Sequence, residues 1–485
     1  MGYLHGVGMT IQDSDSSGFN NPIYYFYYKI KVNHLVYSGL AVWAPKHFVV
    51  VQINAWLLPR AIKFAVIVML FKAYRYGWKD NRKRFGGDKM ESVYIINGAR
   101  TAFGSFGGSL KEVSDIELAV TVTTEALKRS DIDPKEIEDV TFGNVIHTNK
   151  ASSYLARHIS LKSGIPVETP ALTVNRLCGS GMQAIVSCVQ TMILDDVKTA
   201  VAGGTENMSQ APHVLRGTRS GTQSGAPVID DMLWATLTDE YIGCGMGITA
   251  ENLAEKYNIT REQQDQFALL SHEKAATAQK SGRFSKEIVP VIKTDKKGRQ
   301  SVVSNDEHIR SELSLGNLEK LNPAFKKDGT VTAGNASGIN DGAASIVLAS
   351  ETFLNDKKDI KPLARILSWG IAGVDPNFMG IGPVPASRVA LKKAGLSLKD
   401  IDLFEFNEAF AAQSLAVIKE LDVDPEKVNV NGGAVALGHP VGASGARILY
   451  SLAIELKLRG LKYGLASLCI GGGQGIAMII ENVNI

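Results

Sequence analysis

A few residues on glycine-rich bends have the types and spacing for sulfur and acyl chemistry. Cys178 lies in "NRLCGSGMQA", between an apolar run, "ALTV", and a Gly-Ser-Gly that opens into "MQAIVSCVQTM". At a strand-to-helix turn, a cysteine faces unpaired helix amides, and the helix dipole favours thiolate over thiol. The stretch "GSGMQA" also fits the dinucleotide fingerprint G-x-G-x-x-A, which needs an acidic residue about 20 residues on to hold a ribose. "TAVAGGTE" offers only Glu206, after a double glycine and about 27 residues beyond Gly179. On its own, this segment leaves a nucleophile and a nucleotide turn both open.

The C-terminal part of the chain separates the two. "NGGAVALGHPVGASGAR" places His439 where the first half has Cys178, among small residues that leave the ring accessible as a base. "SLCIGGGQG" puts Cys469 at a strand end before three glycines, whose backbone N–H groups can hold an oxyanion. "FEFNEAFAAQ" adds Asn407 at the head of a helix. "TAGNASGINDGA" supplies a further turn, with Ser337 able to meet a polar substrate arm. Packing alone does not account for two cysteines, a histidine and an asparagine on corresponding bends. Cys188, in mid-helix, reads as inert core.

The elements that position these residues alternate between strand and helix from Met90 onward, as an α/β protein requires. "SVYIINGA" reads as a strand, "SDIELAVTVTTEALKRS" as a helix capped by Ser114, and "TAVAGGTENMS" as a strand running into a glycine turn. The order then recurs. "IDLFEFNEAFAAQSLAVIKEL" parallels the segment from "VTFGNVI". "VNVNGGAVALGHPVGASGARILYSLAIEL" parallels the Cys178 unit, and "YGLASLCIGGGQGIAMII" parallels "TAVAGGTENMS". The reading is a duplicated unit: a first half over 90–209, completed by about 338–360, and a second over 361–485. Residues 210–337 form an inserted subdomain with one helical stretch from Thr249 to about Ser281.

Composition narrows the class. Of 485 residues, 45% are hydrophobic and 21% charged, as expected of a globular chain. A net charge of +3 gives no reason to expect a nucleic acid partner. Four cysteines without CxxC spacing suit a reducing compartment such as the cytoplasm, and no metal is implied. Residues 1–89 stand apart, with 17 of the 36 aromatics and 12 Lys+Arg against 4 Asp. Their apolar runs "HFVVVQINAWLL" and "FAVIVMLF" fall short of the roughly 18–20 residues of a membrane span. The stretch "FGGDKM" can be encoded with a purine-rich ribosome-binding sequence ahead of an ATG. The expectation is that Met90 is the native start and 1–89 a translated leader.

Over 90–485 the sequence resembles the thiolase family through "NRLCGSG", "NEAFAAQ", "GGAVALGHPVGASGAR" and "CIGGGQG", most closely its acetoacetyl-CoA-forming branch. The resemblance implies duplicated α-β-α-β-α layers with an inserted loop domain, each half carrying a mixed five-stranded sheet. It implies that Cys178 is acylated by one acyl-CoA, that His439 takes its proton, and that Cys469 deprotonates a second acetyl-CoA. The product would be acetoacetyl-CoA plus CoA, and the reverse would be thiolysis. A degradative 3-ketoacyl-CoA thiolase with longer substrates is the alternative. Further implied are two oxyanion holes: His439 with a water held by Asn407, and the amides of Cys178 and Gly471. Ser337 would contact the pantetheine arm, while Leu237, Met246, Phe325, Ala333, Ala409 and Phe410 would line the thioester pocket. Basic residues at 296–299 are candidates for the CoA 3′-phosphate. No cofactor is implied beyond CoA as substrate and product, and the family's dimers of dimers suggest a homo-oligomer. One departure stands out: Gly245-Met246-Gly247 replaces the branch's usual His-Met-Gly.

Overall fold

The computed structural model describes residues 91–485, apart from 195, 222–226 and 295–296, and the backbone of four strands in 1–89. Those four (Met9–Gln12, Tyr24–Val32, Leu35–Ala44, His47–Val49) form an antiparallel sheet in sequence order. Most of the first apolar run, all of the second, and Met90 lie outside the described residues. Residues 1–89 and 90–485 are separate compact units. Among the described residues no helix is long and apolar enough to cross a membrane.

In the larger unit, the first half contributes strands β1 (Val93–Arg100), β2 (Asp139–Gly143), β3 (Ala171–Val174), β4 (Thr199–Asn207) and β5 (Asn340–Ser350). The second contributes β6 (Ala364–Gly373), β7 (Leu403–Phe406), β8 (Tyr463–Ile470) and β9 (Gln474–Asn482). They run β7-β8-β9-β6-β1-β5-β4-β2-β3. The duplication is visible in the order: outward from the β6–β1 junction the second half reads 6-9-8-7 and the first reads 1-5-4-2-3. Parallel pairing of β7 with β8 matches that of β2 with β4, and antiparallel pairing governs the inner strands of both halves.

Two details correct the expected pair of five-stranded sheets. The second half has four strands; the counterpart of β3 is a single bridge from Val428 to Phe404. The halves also share one continuous sheet, because Val93–Ile95 of β1 pairs with Ala364–Ile366 of β6.

Layering follows from the two-residue period of strands. On β4, Ala200 and Ala202 face a central core while Val201 faces an outer one. The central layer is α3 (Ser180–Ile193) and α8 (Ser444–Arg459), introduced here with the helices that flank it. These are α1 (Asp115–Ser130) and α2 (Leu155–Lys162) outside the first half, then α4 (Met246–Tyr257) and α5 (Arg261–Lys280) in the 210–337 segment. Outside the second half lie α6 (Pro383–Ala394) and α7 (Ala411–Leu421). In α8, Ser444 through Leu456 are all buried, as a helix enclosed by sheet on both sides must be. Each large apolar side chain fully buried there contributes about 1.5–3 kcal/mol. Cys188 packs in this core and is 0% exposed.

Ser114 caps α1 in a reciprocal box with Glu117. The expected single helix from Thr249 to Ser281 is two helices. Asn258 takes a left-handed conformation (φ 52°) that ends α4, and Thr260 restarts the chain in a capping box with Gln263. Nor does β4 run into a glycine turn, since Gly203 and Gly204 lie within the strand. A Cβ on Gly204 would stand 1.9 Å from the Gly442 carbonyl oxygen, so only glycine admits that crossing.

Candidate active site

Cys178 sits on a tight bend between β3 and α3. The preceding Leu177 has φ 46°, a left-handed conformation that costs a non-glycine residue about 1–3 kcal/mol. Its surroundings hold it there: Asn175 Oδ1 accepts from the Leu177 amide at 2.9 Å. Ser180 Oγ accepts from the Arg176 amide (2.9 Å) and donates to the Leu177 carbonyl (2.7 Å). The "GSG" glycines serve contact rather than phosphate binding. A Cβ on Gly181 would lie 2.8 Å from the Ala446 amide nitrogen, and one on Gly445 would lie 2.3 Å from that of Met182. The N-terminal ends of α3 and α8 therefore touch backbone to backbone, which draws the Cys178 and His439 bends together.

The nucleotide reading ends at Glu206. Its carboxylate is fully buried and accepts from Asn144 Nδ2 (3.2 Å) and the amides of Val145, Ile146 and Gly442 (each 3.0 Å). None of it is left for a ribose.

His439 is 5% exposed, so the small neighbours bury the ring rather than open it. Nδ1 lies 2.6 Å from Ser444 Oγ, which also donates to the Pro440 carbonyl at 3.0 Å. That bond assigns the proton to Nδ1 and leaves the Nε2 lone pair toward Asn407 Nδ2, 3.3 Å away. If the hydroxyl rotates to donate to Nδ1, the other tautomer becomes available. Burial, with the Arg447 guanidinium, holds the imidazole down at about 3, so the ring is neutral. Asn407 Oδ1 has no protein partner, leaving it free to hold a water.

Both thiols are protonated at rest. Burial pushes Cys178 up to about 11, with Glu206 adding to the rise, while the Gly471 amide bonds the sulfur and opposes it. This corrects the expected thiolate: desolvation outweighs the helix terminus. Cys469 is 0% exposed, and burial, with Cys178 nearby, raises it further.

Some of the remaining expected site residues share apolar clusters with the two cysteines, and others do not. Met246, Ala409, Phe410 and Cys469 share one apolar cluster with Ala336; Cys178 and Leu237 share a second with Val441. The Ser337 amide donates to the Ala409 carbonyl at 3.0 Å. Phe325 is 40% exposed and edge-on to Phe410, with centroids 6.0 Å apart. Ala333 is exposed and lies outside both clusters. Of the basic stretch, Lys296 lies outside the described residues, and Lys297 and Arg299 fall between the strands Val291–Thr294 and Gln300–Val303. Sequence reasoning missed Glu206 and Ser444 as supports. The spacing of Ser444 in "HPVGAS", five residues past the histidine on the first turn of a helix, was the available signal.

The two duplicated halves meet where the cysteine and histidine bends approach each other. Family models describe the same chain: residues 93–352 match the thiolase N-terminal domain and 360–482 the thiolase C-terminal domain. The chain belongs to the thiolase family and is an acyltransferase. It is 50% identical over 394 residues to the mitochondrial 3-ketoacyl-CoA thiolase of Mus musculus, covering 81% of this chain and 99% of the relative. It is also 50% identical over 390 residues to the acetyl-CoA acetyltransferase of Chromobacterium violaceum, covering 80% and 99%. The crystal structure of human mitochondrial 3-ketoacyl-CoA thiolase in complex with CoA superposes with a TM-score of 0.78 at 48% identity, covering 81% and 98%.

Proposed function

We propose that the enzyme interconverts two acetyl-CoA with acetoacetyl-CoA and CoA, through an acyl-Cys178 intermediate and without a resident cofactor. The observation that carries this reading is the backbone contact between the starts of α3 and α8, which brings the Cys178 bend toward that of His439, whose ring is held at both nitrogens. His439 Nε2 takes the Cys178 proton as the sulfur bonds to the thioester carbonyl carbon. The tetrahedral intermediate collapses, the carbon–sulfur bond to CoA breaks, and the Cys469 thiol gives its proton to the leaving thiolate, so that Cys469 becomes a thiolate while His439 keeps the Cys178 proton on Nε2. The amides of Cys178 and Gly471 hold the oxyanion, and removing one such donor typically costs about 10²–10³ in rate. Cys469, as thiolate, then takes the α-proton of a second acetyl-CoA, with His439 and a water on Asn407 bonding the enolate oxygen. The carbanion attacks the acyl carbon, a carbon–carbon bond forms, and the Cys178 thiolate leaves and takes back its proton from His439 Nε2, while Cys469 keeps the α-proton, so both thiols end protonated.

Ser337 and the Met246–Phe410 cluster would receive the thioester and its pantetheine arm. One observation favours longer 3-ketoacyl chains as additional substrates. A Cβ on Gly245 would meet only the Leu237 carbonyl oxygen, at 3.6 Å, which leaves space beside Leu237 and Met246. The test is thiolysis of acetoacetyl-CoA against six- and eight-carbon homologues, in the wild type and in Gly245→His. Loss of the longer substrates in the variant, with acetoacetyl-CoA retained, supports the wider pocket; equal kcat/KM ratios in both proteins contradict it.

A further inference from the structure

We infer that Glu206 is a positioning residue that sets the Cys178 nucleophile against the His439 bend. The inference rests on Cys178 being the nucleophile. On one side, the carboxylate fixes the Asn144–Ile146 turn through three donors, and Val145 and Ile146 from that turn pack in the same cluster as Cys178. On the other side it accepts from the amide of Gly442, three residues past His439, whose neighbour Val441 joins that cluster. A single buried side chain thus ties a turn of the first half to the histidine bend of the second. Space enforces the tie. A Cβ on Gly442 would lie 2.6 Å from Glu206 Oε2, so the carboxylate and that backbone are in contact. The hydrogen bonds of the Glu206 carboxylate all go to these two loops, and it acts through them.

Its charge has a separate consequence. The other carboxyl group near Glu206 is Asp115, which accepts from Thr148 Oγ1 (3.1 Å) and Asn149 Nδ2 (3.0 Å). Burial raises the Glu206 carboxyl to about 8 against the pull of its donors. Once ionised it opposes thiolate formation at Cys178.

The test compares wild type with Glu206→Gln in acetoacetyl-CoA thiolysis and in alkylation of Cys178 by iodoacetamide across pH, with the labelled peptide mapped. The variant keeps the shape but turns an N–H toward donors. Expected is a fall in kcat of about tenfold or more at nearly constant KM. Alkylation of the variant should outpace wild type, and the gap should open as pH rises through about 8. Unchanged kcat with superimposable alkylation profiles would overturn the inference. If Glu206→Gln loses its cooperative melt, Asn144→Ala removes one donor and keeps the carboxylate. A fall in kcat of about threefold at constant KM supports the clamp, and wild-type kcat overturns it. Acetyl label on a residue other than Cys178 in the wild type would instead remove the nucleophile assignment, whatever Glu206 does.

Discussion

At the scale of single residues, the proposed mechanism starts from a neutral Cys178 and a neutral His439, with the proton moving only as the sulfur bonds to substrate. Because burial raises the thiol above its ordinary value, the thiolate fraction grows with every unit of pH up to about 11. The alkylation rate of Cys178 should therefore climb steadily from neutral to alkaline pH. A plateau near pH 6, as a preformed thiolate–imidazolium pair would give, contradicts the neutral pair. Ser444→Ala removes the hydroxyl at His439 Nδ1, so the ring loses its fixed orientation. Expected is a loss of about tenfold or more in kcat with little change in melting temperature. These residue types were legible from the sequence because glycine-flanked cysteine and histidine recur at matched positions. The protonation states were not, since they depend on burial by the folded chain and on the charges it brings near, Arg447 for His439 and Glu206 for Cys178.

At the scale of elements, the close approach of α3 and α8 brings the two bends into one site. Gly181→Val places branched carbons against the Ala446 amide and should destabilise the fold by about 1–3 kcal/mol or more, read from urea unfolding. Acylation should fall with it; a variant that stays fully stable and active would show that the helices can part without harm. Sequence periodicity revealed most strands and helices here, because alternating burial and caps such as Ser114 are local. It misread Gly203 and Gly204 as a turn, and it ran α4 into α5. The causes differ: Gly442, which presses on Gly204, is distant in the chain, whereas the break between α4 and α5 had local signals, Asn258 as a C-cap and Thr260 with Gln263 as a capping box, that the helical period overrode.

At the scale of the whole molecule, the duplication was readable from repeated motifs, whereas the merging of two half-sheets into one was not. The β1–β6 junction is a three-residue pairing between "SVYIINGA", which reads simply as a strand, and a segment for which the sequence suggested no partner. At the other end, β3 pairs only with β2 among the described strands, and Leu172 on it is 50% exposed. An open, apolar edge of this kind invites a second copy. Leu172→Lys is expected to shift the enzyme toward smaller species in sedimentation velocity; an unchanged distribution would place self-association elsewhere. Since residues 90–485 make a compact unit, a chain starting at Met90 should keep its melting temperature and kcat. Loss of either would assign residues 1–89 a part in the enzyme.

The most direct measurement of the division of labour between the two thiols is made on Cys469→Ala. After incubation with acetyl-CoA, peptide mapping should find the acetyl group on Cys178, while exchange of acetyl-CoA methyl protons with deuterated water stops. Exchange that continues at the wild-type rate, or acetylation that vanishes together with exchange, would contradict separate roles for the nucleophile and the base.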